Sequence, residues 1–268
     1  RYHARRTTAS RQANKGPMAQ IQRVNYAPAH NIWTDMQVIY AMWFGSISGG
    51  THQEQLESFY AKQARLYDSY RCRMLHGRKP MVDNMPATEG AVWVDLGGGT
   101  GANLEFFGPG INSFKQVVVV DLTPSLVQVA KDRVQKRNWK NVSVVLGDAT
   151  DPSLPGLPAP GSCDVVSISY ALTMIPDWKK ALANAKNLLK PGGHICVCDF
   201  TVHQSQWPVS RLFWKKLFAS DHVHLSHEHI PHLKANFPEV HHEVGYGTFP
   251  YIPAMLRCPY YVYVGRNS

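Results

Sequence analysis

No stretch of this 268-residue chain reaches the roughly 18–20 consecutive apolar residues needed to cross a bilayer, so contact with a membrane is expected only at its surface. Acidic residues are missing from residues 1–34, which hold Arg1, Arg5, Arg6, Arg11, Lys15 and Arg23. Six of the nine excess positive charges thus fall in the first eighth of the chain. Cysteine is sparse: five residues, an odd number without paired spacing, exclude a disulfide framework. Cys196 and Cys198 share one side of a predicted strand, where a bridge would be strained, so buried reduced thiols are expected. No internal repeat is visible and no signal-peptide pattern opens the chain. Since it begins with Arg1 rather than Met, it is expected to be a piece of a longer protein. What is present is an ordinary globular composition, 44% hydrophobic and 18% charged, sufficient for one domain of about 200 residues plus an extension.

The most informative segment is Val92-Trp93-Val94-Asp95-Leu96-Gly97-Gly98-Gly99-Thr100-Gly101. A short strand ends near a carboxylate, and alternating glycines then turn the chain into a predicted helix. Glycines permit the turn and the close approach of a ligand, and a helix start offers free N–H groups. Gly97-x-Gly99-x-x-Ala102 fits a dinucleotide fingerprint. Asp95-x-Gly97-x-Gly99-x-Gly101 fits equally well the loop of class I S-adenosylmethionine (SAM)-dependent methyltransferases. The dinucleotide reading gives Asp95 no role, whereas SAM carries an α-ammonium.

The following segments agree with SAM. Gln116 to Val120 is an apolar, β-branched run ending at Asp121, placed to take ribose hydroxyls. Val142 to Leu146 ends in Gly147-Asp148-Ala149, where Asp148 is the candidate partner of an adenine amino group. Cys163 to Tyr170 and Ile195 to Asp199 read as a fourth and fifth strand. Between them, Ala181 to Leu189 reads as a helix stopped by Lys190-Pro191-Gly192-Gly193. The expected fold is therefore α/β, a class I SAM-dependent methyltransferase (Rossmann-like) fold with a seven-stranded, mostly parallel sheet. The candidate cofactor contacts are Tyr67, Asp95, Gly97, Gly99, Gly101, Asp121, Leu122, Asp148, Ala149 and Ser169.

Residues 1–50 are expected to form a basic arm, disordered over 1–30, and residues 51–268 the methyltransferase domain. The arm's functional alternative is attraction to anionic lipid. The apolar segment 32–47, with Trp33 and Trp43, suits a helix at an interface or one packed on the domain, and Ser48-Gly49-Gly50-Thr51 breaks the chain after it. Residues 53–77 read as one helical region, residues 206–222 as a helix forming a lid or a substrate-side insertion, and residues 240–265 as closing strands.

Between Asp221 and His232 lie five histidines at 222, 224, 227, 229 and 232, but their spacing matches no common zinc arrangement, so no metal is expected. Tyr67-Asp68-Ser69-Tyr70-Arg71 precedes the first strand, where an aromatic face suits a sulfonium, and helix packing explains it equally well. Ser169 to Pro176 follows strand four without the Asn/Asp-Pro-Pro-aromatic element of DNA amino methyltransferases, which argues against a nucleic-acid partner.

The combination Tyr67-Asp68…Arg71 to Leu75-x-Gly77-Arg78, Asp95 to Gly101, Leu172-Thr173-Met174-Ile175-Pro176-Asp177-Trp178 and Pro259-Tyr260-Tyr261-Val262-Tyr263-Val264-Gly265 resembles the N-methyltransferase module of betaine lipid synthase. The resemblance covers about residues 53–265. It implies three methyl transfers from SAM to the amine of diacylglyceryl-homoserine, with Tyr67, Tyr70 or Tyr170 orienting that amine. It further implies a peripheral site on the cytosolic face of a membrane, expected to be the endoplasmic reticulum. Fusion to an aminocarboxypropyl-transferase module is implied as well.

Overall fold

The computed structural model describes residues 19–44, 48–202, 206–220, 223 and 225–268. Seven strands form one sheet: β1 Val92–Leu96, β2 Gln116–Asp121, β3 Val142–Leu146, β4 Cys163–Ser169, β5 Leu189–Phe200, β6 Glu239–Gly247 and β7 Cys258–Arg266. Their order is β3-β2-β1-β4-β5-β7-β6; β1 to β5 run parallel, while β7 is antiparallel to both β5 and β6. The strand order reverses direction between β1 and β4, the place where open α/β sheets leave a crevice at their carboxyl ends. Every residue of β1 is buried, as befits a strand covered on both faces. Val92, Val94 and Leu96 join the core on one face, and Trp93 joins the core on the other with Phe107, Val117 and Val119.

The helices are α1 Ile32–Phe44, α2 His52–Tyr60, α3 Tyr67–Arg71, α4 Arg78–Asp83, α5 Pro124–Arg137, α6 Trp178–Leu188, α7 Pro208–Ser220 and α8 His229–Asn236. The single helical region expected over 53–77 is corrected to short pieces. A capping box of Thr51 and Glu54 starts α2, and the chain then bends so that Phe59, Tyr60, Tyr67 and Tyr70 all reach one aromatic core. Tertiary packing overrides the continuous pattern here. After Gly101 the expected helix is 3-10 in character over Ala102–Ser113, broken where Gly108 has φ 49° ahead of Pro109. Lys190 to Gly193 do not form a separating loop: they belong to β5, which follows α6 directly. Gly193 is needed because a Cβ there would lie 2.9 Å from the Cys163 carbonyl oxygen.

The disordered arm expected up to residue 30 is corrected over 19–26. Gln20 bridges to Thr88, Ile21 N–H donates to Ala87 (2.9 Å), and Val24 N–H donates to Phe106 (2.7 Å). The Arg23 guanidinium donates to the carbonyls of Val82, Ile21 and Met85. Arg1, Arg5, Arg6, Arg11 and Lys15 lie outside the described residues, as does the side chain of Trp43. α1 packs on the domain through Val38, which is buried in the aromatic core, while its Trp33 is 78% exposed. The helix expected over 206–222 starts at Pro208, with Trp214 and Phe218 buried, Leu212 exposed, and Trp207 exposed just before it.

Asp35 fastens α1. It is fully buried, ion-paired to Arg73, and accepts from the Tyr251 hydroxyl at 2.6 Å. Burial pushes its carboxyl up, but Tyr251 and Arg73 outweigh that and leave it below the ordinary value. Its contribution is therefore present above the unfolded carboxyl pKa and fades as pH falls through the lower folded one. Asp35→Ala should cost about 3 kcal/mol in urea unfolding at pH 7, since it leaves the Arg73 charge without its acid. An unchanged midpoint would mean that α1 is not held this way.

Candidate active site

Three glycines of the loop after β1 have positive φ: Gly97 66°, Gly99 56° and Gly101 70°. A Cβ on Gly97 would sit 2.5 Å from the Ala171 Cβ, so the loop can lie against the chain leaving β4 only without one. The loop is tied to the end of β2 through Asp121. Gly99 N–H donates to one carboxylate oxygen at 2.8 Å, and Thr123 N–H donates to the other at 2.9 Å. Above this tie opens a cleft enclosing about 990 Å³, its mouth included.

Tyr67, Gly97, Gly99, Asp121, Leu122, Asp148, Ala149, Ser169 and Tyr170 line that cleft. Three other expected residues do not, and their placement is corrected. Asp95 is fully buried behind the loop, on the same face of β1 as Trp93. It accepts from Ser167 Oγ (2.5 Å) and from Asn103 Nδ2 (3.0 Å). Gly101 turns the chain against Ala130 and Arg133. Tyr70 lines a neighbouring apolar cavity with Met74, Phe200 and Phe249. His52, Tyr60, Arg78, Met174 and Asp177 also line the cleft without having been singled out for it. Arg78 and Asp177 both stood inside motifs already noted, but no spacing rule marks them as cleft residues.

Asp95 still reaches the cleft indirectly. Asn103 Nδ2 donates to Asp95 and also to Ser169 Oγ at 2.8 Å, so the buried carboxylate orients a side chain that lines the cleft. Burial raises the Asp95 carboxyl to about 6, against the opposing hydrogen bonds from Ser167 and Asn103. Asp199, buried near the end of β5, is raised to about 7 by the same cause. Tyr170 has φ 51°, which turns its ring into the cleft wall, and its hydroxyl accepts from Gly77 N–H at 2.8 Å. Burial places this phenol well above its ordinary pKa, so it stays protonated at neutral pH and cannot serve as a base.

Among the described residues no group of three or more His, Cys, Asp or Glu is arranged to hold a metal ion. His222 and His224 lie outside the described residues. His229 is buried and meets the Trp178 ring edge-on at 4.7 Å, with His232 on the same ring at 5.1 Å. These two histidines are packing groups.

Residues 94–197 match the family described as a methyltransferase domain. Over 140 residues the chain is 31% identical to the demethylmenaquinone methyltransferase of Thermobifida fusca, covering 52% of this chain and 56% of that protein. The ubiquinone/menaquinone biosynthesis C-methyltransferase UbiE of Hydrogenovibrio crunogenus is 32% identical over 113 residues, covering 42% of this chain and 43% of its own length. The chain thus spans about half the length of the curated relatives it matches. Among solved structures, the phosphoethanolamine N-methyltransferase 2 of Haemonchus contortus in complex with S-adenosyl-L-methionine superposes with a TM-score of 0.62 at 16% identity, over 82% of this chain and 60% of that one. The fold is that of the class I methyltransferases. A SAM-dependent methyltransferase from Aquifex aeolicus shares it with a TM-score of 0.52 at 18% identity, over 76% of this chain and 97% of that one. In this methyltransferase fold the cleft sits at the carboxyl ends of β1, β2 and β4, where the sheet switches direction.

Asp95 gives a test by pH. Its folded pKa of about 6 exceeds the ordinary 3.8, so between those values the folded chain binds the extra proton and stability falls as pH rises. Asp95→Asn should flatten the decline in urea stability between pH 4 and pH 6 by up to about 3 kcal/mol, at 1.36 kcal/mol per pKa unit. A pH profile parallel to the wild type would show that Asp95 is not the buried acid responsible.

Proposed function

We propose that this chain transfers methyl groups from S-adenosylmethionine to an acceptor bearing hydrocarbon chains, at a membrane surface. The residues present fit the cofactor. Each Asp121 oxygen takes one backbone N–H and keeps a lone pair for a ribose hydroxyl. Asp148 lies exposed on the cleft wall, and a Cβ on Gly99 would meet only Leu126, at 3.9 Å, leaving that wall open to a ligand. When bound, SAM supplies an electrophilic methyl group on a sulfonium. The chain's own part is positioning. The Tyr170 hydroxyl accepts from Gly77 N–H and keeps its proton to donate, while Tyr67 offers an aromatic wall.

The observation that carries the acceptor class is the second cavity. It spans about 630 Å³, its open mouth included, and is walled by Tyr70, Met74, Phe200, Phe218 and Phe249. Phe200 packs on Tyr170 with ring centroids 4.6 Å apart, so only a layer of aromatic rings separates the apolar cavity from the cleft. Exposed Trp33 and Met36 on α1, with Leu212 on α7 and Trp207 just before it, add apolar surface suited to the interfacial region of a bilayer.

The finer reading is N-methylation of diacylglyceryl-homoserine, giving the trimethylated betaine lipid, by a module fused to an aminocarboxypropyl-transferase at the endoplasmic reticulum. Its support is the Leu172 to Trp178 and Pro259 to Gly265 stretches. Met174 and Asp177 of the first stretch line the cleft. The names of the curated relatives favour a second reading, C-methylation of a quinone. The two separate in one assay. With methyl-labelled SAM and both acceptors in mixed micelles, label should enter the homoserine lipid as mono-, di- and trimethyl products. Label in demethylmenaquinone alone would establish the second reading, and label in neither would contradict both. Trp33→Glu with Trp207→Glu should weaken sedimentation with anionic vesicles by roughly tenfold while the melting temperature holds, because two anchoring indoles are lost. Unchanged sedimentation would contradict this membrane-facing surface.

A further inference from the structure

Arg78 opens α4 and lines the cleft together with Gly97, Ser169 and Tyr170, yet it is only 7% exposed. Its Nε has no hydrogen-bond partner, and among the described residues no carboxylate lies within ion-pair reach of its guanidinium. The Nε atoms of Arg71 and Arg133 also lack a hydrogen-bond partner, but among the described residues those two guanidinium groups have other contacts. Arg133 pairs with Asp68 and Glu105, and Arg71 lies over the Tyr67 ring at 5.0 Å. Asp95 feels the Arg78 charge through space without forming an ion pair with it, and the acids around the cleft have hydrogen-bond or ion-pair partners of their own. Asp95 is held by Ser167 and Asn103, Asp121 by Gly99 and Thr123, and Asp177 by Lys180. A buried guanidinium without a direct ion pair carries a desolvation cost that a bound ligand can offset.

We infer that Arg78 is the cleft's receptor for the carboxylate of an α-amino acid group. The planar fork of a guanidinium matches two carboxylate oxygens. Asp121, Asp148 and Asp177 line the same cleft, so an anion entering it must bring a cation. A zwitterionic head, carboxylate beside ammonium, meets both demands, whereas a phosphate dianion would face three carboxylates. Two molecules of the proposed reaction carry such a head: the methionine half of the methyl donor and a homoserine acceptor. The assignment rests on the methyl-donor reading of the cleft and adds the residue that recognises the charged end.

Titration calorimetry on the whole chain tests it, with S-adenosylhomocysteine and 5′-methylthioadenosine as probes; the second keeps the adenosyl group and lacks the amino acid. A third arm titrates L-homoserine into protein loaded with S-adenosylhomocysteine. If the donor's carboxylate is the partner, Arg78→Gln weakens S-adenosylhomocysteine by roughly tenfold or more, leaves 5′-methylthioadenosine unchanged, and Arg78→Lys restores part of the loss. If the acceptor's carboxylate is the partner, both nucleosides bind as before and homoserine binding is lost. Equal weakening of both nucleosides, or no change in any arm, overturns the assignment. A wild-type chain that binds neither nucleoside overturns the methyl-donor reading itself. Arg78→Lys, which keeps the charge, guards against a folding defect in the Gln variant.

Discussion

The tie between the glycine loop and Asp121 is the constraint on which the cleft depends. The loop after β1 has positive φ at Gly97, Gly99 and Gly101 and no regular hydrogen-bond ladder, so something outside it must fix its path. Asp121 does so from the neighbouring strand by accepting from Gly99 and Thr123, one N–H for each oxygen. Gly98 N–H donates to the Val120 carbonyl at 3.0 Å, a second fastening to the same strand end. The residue expected to meet a ribose is thereby also the residue that shapes the loop beneath it. Burial raises its carboxyl, and the hydrogen bonds from Thr123 and Gly99 work against that rise.

A second layer lies behind the loop. Trp93 donates from its indole to Ser167 Oγ at 2.7 Å, Ser167 donates to Asp95, and Asn103 links Asp95 to Ser169 at the cleft wall. Such a chain is stabilising only while each member keeps its partner, since an orphaned buried polar group costs on the order of 1–3 kcal/mol. The network therefore couples the core on one face of β1 to the position of Ser169. Asp95 acts on the cleft through Asn103, without reaching it.

The strands were legible because their residues are apolar, β-branched and end at turn chemistry; β1, β2 and β4 fall where the runs of Val and Ile placed them. The cofactor side followed from the strand ends, which bring Asp121 and Asp148 to one cleft. Asp95 was misplaced because a strand end does not state its face. The two-residue alternation puts Asp95 on the Trp93 face of β1, where Ser167 and Asn103 hold it. Tyr67 and Tyr70 stand three apart on one short helix, yet they face different cavities, which only the packing of Phe200 and Met74 decides. Arg78 and His52 reach the cleft through the bends between α2, α3 and α4. Those bends are set by long-range contacts such as Gly77 N–H to Tyr170, 93 positions away, which no local pattern encodes.

The central claim is that this cleft receives an adenosyl methyl donor through the strand-end acids and the glycine loop. Its most direct test is calorimetric titration of the wild-type chain and of Asp121→Ala with S-adenosylmethionine and with NAD. The account predicts one site for S-adenosylmethionine, lost in Asp121→Ala, and no heat from NAD. Binding of NAD with no response to S-adenosylmethionine would contradict it.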